Sequence, residues 1–300
     1  MSSIAYTADE NMLEYHRLCG HRDVIFWRLS AQKGFRNFRK GDLLFFFAKP
    51  KTGKKKGFVG YAHYDSTRRL SLNQMWERYG ENNGYHSKEQ LEEAIRKVSR
   101  TGEIPARMNC LYLTNIVFFL SPVYPEDAGI QVSQQLESFM YLDREDPAVT
   151  VRILRKAEEN GIDLWSSAQS DETEAVFRRD EVMHGMAEIV PLIASTRSER
   201  EEAAAVRLMK ENAVDAEPIK GSRTDYIRFN GAGITVLLPF VSGVKDRKRL
   251  LTELAGKIGL YRYYVRALNV PVADVSFEIL NEETDPETER ILRDIAHGQL

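Results

Sequence analysis

Residues 26–63 read FWRLSAQKGFRNFRKGDLLFFFAKPKTGKKKGFVGYAH. The Gly41-Asp42 pair is a turn signal. It launches Leu43–Ala48, a run apolar at every position and so a strand buried on both faces. Pro50 to Gly57 reads as a hairpin loop carrying lysines. Phe58–Tyr64 is the return strand, with Gly57 and Gly60 permitting close backbone approach. The same stretch interleaves cations with rings. Between Lys33 and Lys56 the one acid is Asp42, and Trp27, Tyr61, Tyr64, Trp76 and Tyr79 lie within or just beyond the run. Cations for phosphates beside flat rings for bases describe a nucleic-acid surface. A small β-barrel core with a solvated lysine loop gives the same pattern.

Working outward, residues 4–20 read as helical or mixed, and Val24–Arg28 as a short strand. Ser71–Gly80 is a short helix. Ser87 and Gln90 match a capping box that opens a helix through Leu91 and Ile95. Leu111–Leu120 is the strongest strand, closed by Pro122 and Pro125. A helix with Val151, Leu154 and Ala157 runs from Asp146-Pro147 to about Gly161. Residues 166–174, SSAQSDETE, are small, polar and acidic, and make the linker candidate. Beyond them come a helix to about His184, a helix over Ser198–Asn212, and strands at Asp225–Phe229, Ile234–Phe240 and Val275–Leu280. Arg247–Leu268 is a long amphipathic helix with Leu250, Leu251, Leu254, Ile258, Tyr261 and Val265 on its buried side. The last twenty residues are strongly charged and are expected to fray.

Three hundred residues suggest two domains: residues 1–165, the linker 166–174, and residues 175–300. The net charge of −2 hides an asymmetry. Residues 1–100 carry 19 Lys and Arg against 11 Asp and Glu, and the remainder carry 23 against 33. A basic first segment points to a polyanion partner. No apolar run approaches the roughly 18 residues needed to span a bilayer. Asp9 and Glu10 with no apolar stretch argue against a signal peptide. Cys19 and Cys110 form no metal-ligand spacing and read as free thiols of a reducing cytoplasm. The six histidines, His16, His21, His63, His86, His184 and His297, show no metal spacing either.

Phe26-Trp27-Arg28-Leu29, then Arg39-Lys40-Gly41-Asp42-Leu43-Leu44-Phe45-Phe46, then Gly57-Phe58-Val59-Gly60-Tyr61-Ala62 resemble EVE-type domains of the PUA-like superfamily. Leu113–Leu120, Ile130 and Phe139-Met140-Tyr141-Leu142 look like that family's closing strands. The resemblance covers roughly residues 1–150. It implies a β-barrel with flanking helices, and recognition of nucleic acid, often of a modified base flipped into an aromatic pocket. Trp27 is the first candidate for a pocket wall, Trp76 and Tyr79 the second, Tyr61 the third. His63 is a candidate contact to a base edge. Arg36 and Arg39, beside Phe35 and Phe38, are candidate phosphate or stacking residues. Lys51, Lys54, Lys55 and Lys56 form a candidate phosphate clamp. Each candidate has an ordinary structural reading beside it. Phe45, Phe46 and Phe47 read as packing, and Asp42 as a turn-former.

Residues 199–266 resemble the layout of a PD-(D/E)xK restriction-endonuclease-like domain. A helix carries Glu201 and Glu202, a glycine turn leads into Asp225, and a hairpin at Asn230-Gly231 reaches the buried strand. Active members place Glu-x-Lys on that strand, which supplies a Mg²⁺ ligand and a cation. Here the window reads Val236-Leu237-Leu238-Pro239-Phe240, with no acid and no lysine. Lys245 is the nearest replacement cation, and Glu202 and Asp225 are weak metal candidates. The resemblance therefore implies a degenerate nuclease domain.

The expected whole is an α+β or α/β chain: a PUA-like barrel, then a smaller α/β domain with a mixed sheet and a long helix. The expected function is nucleic-acid binding, DNA before RNA, reading a modified base such as a methylated one, in a setting such as prokaryotic defence. No catalytic residue and no cofactor is expected. The tyrosine-rich end of the long helix suggests a homodimer through the second domain. The alternatives are a modification-dependent, Mg²⁺-using nuclease with a rearranged metal site, and an RNA-binding protein of RNA metabolism.

Overall fold

The computed structural model describes residues 3–29, 35, 38–50, 53, 55–164, 170–193, 197–241, 247–282 and 285–298. These fall into two compact units, residues 1–177 and 178–300.

The first unit runs β1 (Ser3–Thr7), α1 (Glu10–Cys19), β2 (Val24–Arg28), β3 (Leu43–Ala48), β4 (Gly57–Leu70), α2 (Leu72–Tyr79), α3 (Lys88–Val98), β5 (Met108–Val123), β6 (Phe139–Tyr141) and α4 (Val149–Asn160). The strands form one mixed sheet in the order β2-β5-β4-β3-β1-β6. β3 pairs antiparallel with β4 and parallel with β1. It is buried throughout, as its unbroken apolar sequence requires. Leu43, Phe45 and Phe47 belong to a core shared with α4 residues Ile153 and Leu154. Leu44, Phe46 and Ala48 belong to a second core with Ile4, Tyr6 and Phe26.

That second core shows that the sheet is rolled. β1 and β2 stand four positions apart in the ladder, which a flat sheet would translate to about 19 Å. Yet the rings of Tyr6 on β1 and Phe26 on β2 are 4.7 Å apart, edge to face. Register shifts along the β4–β5 and β3–β4 pairings supply the bend. The expected barrel is thus a rolled six-stranded sheet whose ladder, among the described residues, ends at β2 and β6. The outer face of β2 and β5 is covered by α2 and α3, through Ile25, Met75, Leu91, Ile95 and Cys110.

Several elements differ from expectation. Residues 4–20 split into a buried strand and a helix. β4 and β5 outrun their apolar segments, because the polar residues Ser66–Arg69 still pair with β5. The Ser87 box is displaced: Ser87 Oγ accepts from Gln90 N at 3.3 Å, but Gln90 Oε1 accepts from His86 N. A full box forms one helix earlier, between Ser71 and Gln74.

Residues 170–174 of the expected linker lie in helix α5 (Ser170–Ile189), and 166–169 fall outside the described residues. The division between the units falls within that helix. The second unit continues with α6 (Glu199–Asn212), β7 (Glu217–Pro218), β8 (Tyr226–Asn230), β9 (Gly233–Phe240), α7 (Arg247–Ala267), β10 (Val275–Asn281) and α8 (Pro286–His297). Its sheet has the order β10-β9-β8-β7, with β9 and β10 parallel across the α7 crossover. α7 buries Leu250, Leu254, Ile258, Tyr261 and Val265, close to the expected stripe. The charged C-terminus does not fray over Pro286–His297. Asp285 caps α8 by accepting from Thr288 N, and Leu292 and Ile295 enter the core.

Two glycines of opposite character give a test. A Cβ at Gly60 would collide with the Val117 carbonyl oxygen of the neighbouring strand, whereas a Cβ at Gly256, inside α7, meets nothing. Gly60→Ala is expected to destabilise the protein by about 1–3 kcal/mol through overpacking. Gly256→Ala is expected to stabilise it by roughly 0.5–1 kcal/mol. Urea denaturation followed by circular dichroism measures both.

Candidate nucleic-acid interface

β2 alternates. Ile25 and Trp27 face the helical layer, while Val24 and Phe26 face the inside of the rolled sheet. The alternation puts Arg28 on the inner face too, at the seam where β2 meets β1 and β6 without a ladder. There its guanidinium carbon lies 5.0 Å from the ring centroid of Phe35, 5.5 Å from Tyr6 and 5.6 Å from Phe139. The rings support one another. Phe35 meets Phe139 edge to face at 4.8 Å, and Phe139 meets Tyr141 at 5.8 Å. Arg144 in turn sits 3.8 Å over Tyr141. Burial pushes the Tyr6 phenol above its ordinary pKa, with the Arg28 charge opposing, so Tyr6 is a neutral ring at physiological pH.

Beside this cluster opens a cleft of about 990 Å³. Its walls are the ends of β1 and β2, the first turn of α1, and α3 with the turn after it. Trp27, Arg28, Lys97 and Arg100 line it, together with Tyr85, Glu93 and Glu137. Lys97 and Arg100 are exposed. Trp27 is half-buried, and its indole N–H is buried without a hydrogen-bond acceptor. The cleft therefore offers a flat ring, three cations within reach of a polyanion, and three exposed carboxylates, of which Asp9 caps α1 while Glu93 and Glu137 can accept from a base edge.

The other sequence candidates scatter. Trp76 and Tyr79 are half-buried against the same helical cluster as Trp27, and Tyr79 stacks on Tyr112 at 5.8 Å. Neither lines the cleft. Tyr61 is fully buried among Phe45, Phe119 and Phe177, so it has no face to offer a base. His63, half-buried on β4, sets its ring edge-on to Tyr61 at 6.1 Å. The two described lysines of the candidate clamp are held. Lys55 pairs with Glu126 and lies 4.5 Å over Tyr124, and Lys56 Nζ donates to the Leu136 carbonyl at 3.0 Å. Arg39 is exposed on the turn before β3, where its N–H donates to Asp42 Oδ2 at 2.6 Å. Asp42 is buried and serves the turn, as expected, and Phe45, Phe46 and Phe47 are core. Arg36, Lys51, Lys54 and Lys245 lie outside the described residues.

Arg28, Tyr6 and Phe139 were missed from sequence. The available signal was a cation at the apolar phase of a strand, two residues after Phe26. A cation there must find rings or acids to face.

In the second unit, no group of three metal-ligating side chains forms among the described residues. Asp225 is buried, and its carboxylate accepts from Lys257 Nζ at 2.6 Å, from the Tyr261 hydroxyl at 2.7 Å and from Thr224 Oγ1 at 3.1 Å. Lys257 and Tyr261 stand one turn apart on α7. The cation at Asp225 thus comes from a helix, and it neutralises the carboxylate rather than leaving it for a metal. Burial and the Asp225 charge push the Tyr261 phenol far above its ordinary pKa. Glu201, next to Glu202, is held by Arg249 at 2.8 Å. Glu202 lies on α6 with no partner of this kind among the described residues.

No protein-family model and no curated protein sequence matches the chain. Among solved structures, the chain is similar to ASCH from Zymomonas mobilis, with 13% identity and a TM-score of 0.35 over 50% of this chain and 93% of that one. The S128A mutant of the same protein gives 11% identity and a TM-score of 0.36, over 53% and 96%. A hypothetical protein from Leishmania major gives 12% and 0.31, over 53% and 96%. Likenesses at this level assign no residue and no activity.

The Asp225 arrangement predicts stability effects. Tyr261→Phe removes one donor from a buried carboxylate and is expected to cost about 1–3 kcal/mol. Lys257→Met leaves that charge unpaired and is expected to cost about 3–5 kcal/mol. Glu202→Gln is expected to stay within about 0.5 kcal/mol. Chemical denaturation checks the order.

Proposed function

We propose that the first unit binds a nucleic-acid strand at the seam of its rolled sheet. An unpaired base enters the cleft against Trp27, and flanking phosphates meet Arg28, Lys97 and Arg100. The observation that carries this reading is the ring-enclosed Arg28 opening beside a cleft of about 990 Å³ that shares Trp27 and two exposed cations. The guanidinium fork is planar by its own delocalisation, and rings that hold it in place leave little further ordering to lose on binding. The cleft stands at the upper end of the 300–1,000 Å³ range usual for small-ligand sites, enough for a nucleotide. Glu93 and Glu137 give the base edge acceptors where a purely basic groove would not, so the site suits a base as well as a backbone.

The finer form of the reading is a modified base, in DNA before RNA. The half-buried Trp27 ring at the rim of an open cleft supports a base-sized ligand there. A nuclease metal site is disfavoured, because Asp225 is already engaged by Lys257, Tyr261 and Thr224.

Fluorescence anisotropy with single-stranded, duplex and modified DNA and with matched RNA tests the proposal. Lys97→Ala and Arg100→Ala, both at exposed positions, are expected to weaken all strands alike. Each is expected to lower the salt slope by about 0.7 for a single strand. Trp27→Phe is expected to weaken discrimination among bases by about 1 kcal/mol. Wild-type affinity in the Lys97/Arg100 double variant would remove the cleft from the account.

For the second unit the proposed role is self-association through α7. Tyr261 enters the core and Tyr264 packs against it, leaving Tyr263 at 63% and Leu260 at 41% exposure as large apolar side chains in water. Sedimentation of the full chain is expected to show a dimer that Leu260→Glu/Tyr263→Glu converts to monomer. A wild-type monomer would end the assembly reading.

A further inference from the structure

The end of α1 places a second set of chemical groups apart from the cleft. Cys19 closes the helix, Gly20 adopts a left-handed φ of 63°, and the chain folds back so that His21 N donates to the His16 carbonyl at 3.0 Å. This reversal brings the His21 ring beside Cys19 and toward Glu81, which lies on the 3-10 turn Gly80–Asn83. One donor atom from each of Cys19, His21 and Glu81 lies within 4.8 Å of the other two. No sequence spacing revealed this, since Glu81 is remote along the chain.

We propose that Cys19, His21 and Glu81 form a binding site for a divalent cation of the zinc class. The donor set is a thiolate, an imidazole and a carboxylate, the combination that a borderline-soft, tetrahedral ion accepts. The thiolate and carboxylate charges balance a dication. Bond lengths of about 2.0–2.3 Å require the donors to draw together, and Cys19 and Glu81 are both exposed and able to rotate.

The surrounding contacts are those of an ordered site. Tyr15 donates its hydroxyl to Glu81 Oε2 at 2.9 Å, which orients the carboxylate. His16 is fully buried, and its Nδ1 lies 3.0 Å from His21 Nδ1. When the His21 Nδ1–H donates across that contact, its Nε2 lone pair is left for the metal, the arrangement that fixes a metal-bound imidazole. Three protein donors leave a fourth position for water or for His86, whose Nδ1 is 3.5 Å from Glu81 Oε1. The ion would clasp α1 to the turn after α2. Met12 on α1 and Tyr85 just past that turn both line the cleft, so the clasp would stiffen two of its walls.

Cobalt substitution of the full chain tests the site. The protein, stripped with a chelator, is titrated with Co²⁺ and then with Zn²⁺. The expected result is about one ion per chain, with tetrahedral visible bands and a thiolate charge-transfer band that Zn²⁺ abolishes. Only two cysteines exist and Cys110 is buried, so that band reports Cys19. Cys19→Ser and His21→Ala are each expected to lose the band, and Zn²⁺ is expected to raise the melting temperature of the wild type but not of either variant. Absence of the band in the wild type, or its persistence in either variant, overturns the proposal.

Discussion

The strand Leu43–Ala48 has no face that it can leave in water. Six consecutive apolar residues, three of them phenylalanine, need cover above and below. Burying a Phe side chain is worth about 1.5–3 kcal/mol, so the demand outweighs any local preference nearby. One face takes α4 as its cover. The other is covered by the sheet itself, rolled until β1 and β2 bring Tyr6 and Phe26 together over Phe46.

Rolling has a consequence for chemistry. Where β2 comes round to β1 and β6, the edges meet through side chains. Arg28, which the alternation of β2 sends inward, is met there by the rings of Tyr6, Phe35 and Phe139. The guanidinium keeps its charge against ring faces. α3 crosses the other side of β2 and brings Lys97 and Arg100 to the same opening. The candidate site thus follows from the closure that β3 demands. In the basic hairpin that dominates the sequence, Lys55 and Lys56 are engaged instead with Glu126, Tyr124 and the Leu136 carbonyl.

Strands and helices with strong periodicity were legible: β2, β3, β9 and α7 stand within a residue of where alternation and the apolar stripe place them. What the sequence hid was assembly at long range. Tyr61 and Trp27 look alike as ring candidates, yet the phase of β4 sends Tyr61 into the α4 core while Trp27 stays at a rim. Lys55 and Lys56 of the hairpin look free until Glu126 and the Leu136 carbonyl supply acceptors. Asp225 looks like a metal carboxylate until α7 delivers Lys257 and Tyr261 from more than thirty residues away. In each case the deciding partner is remote in the chain, and local pattern carries no record of it.

The central claim is that a nucleic-acid strand meets the protein at the seam, not at the lysine hairpin. Heteronuclear NMR of the indole N–H groups, the arginine Nε–H groups and the backbone amides, recorded during titration with a short single-stranded oligonucleotide, tests it directly. The account predicts that the Trp27 indole and the Arg28 Nε–H shift, with the amides of Lys97 to Arg100, while Lys55 and Lys56 stay in place. Shifts confined to Lys55 and Lys56, with Trp27 and Arg28 unmoved at saturation, would contradict it.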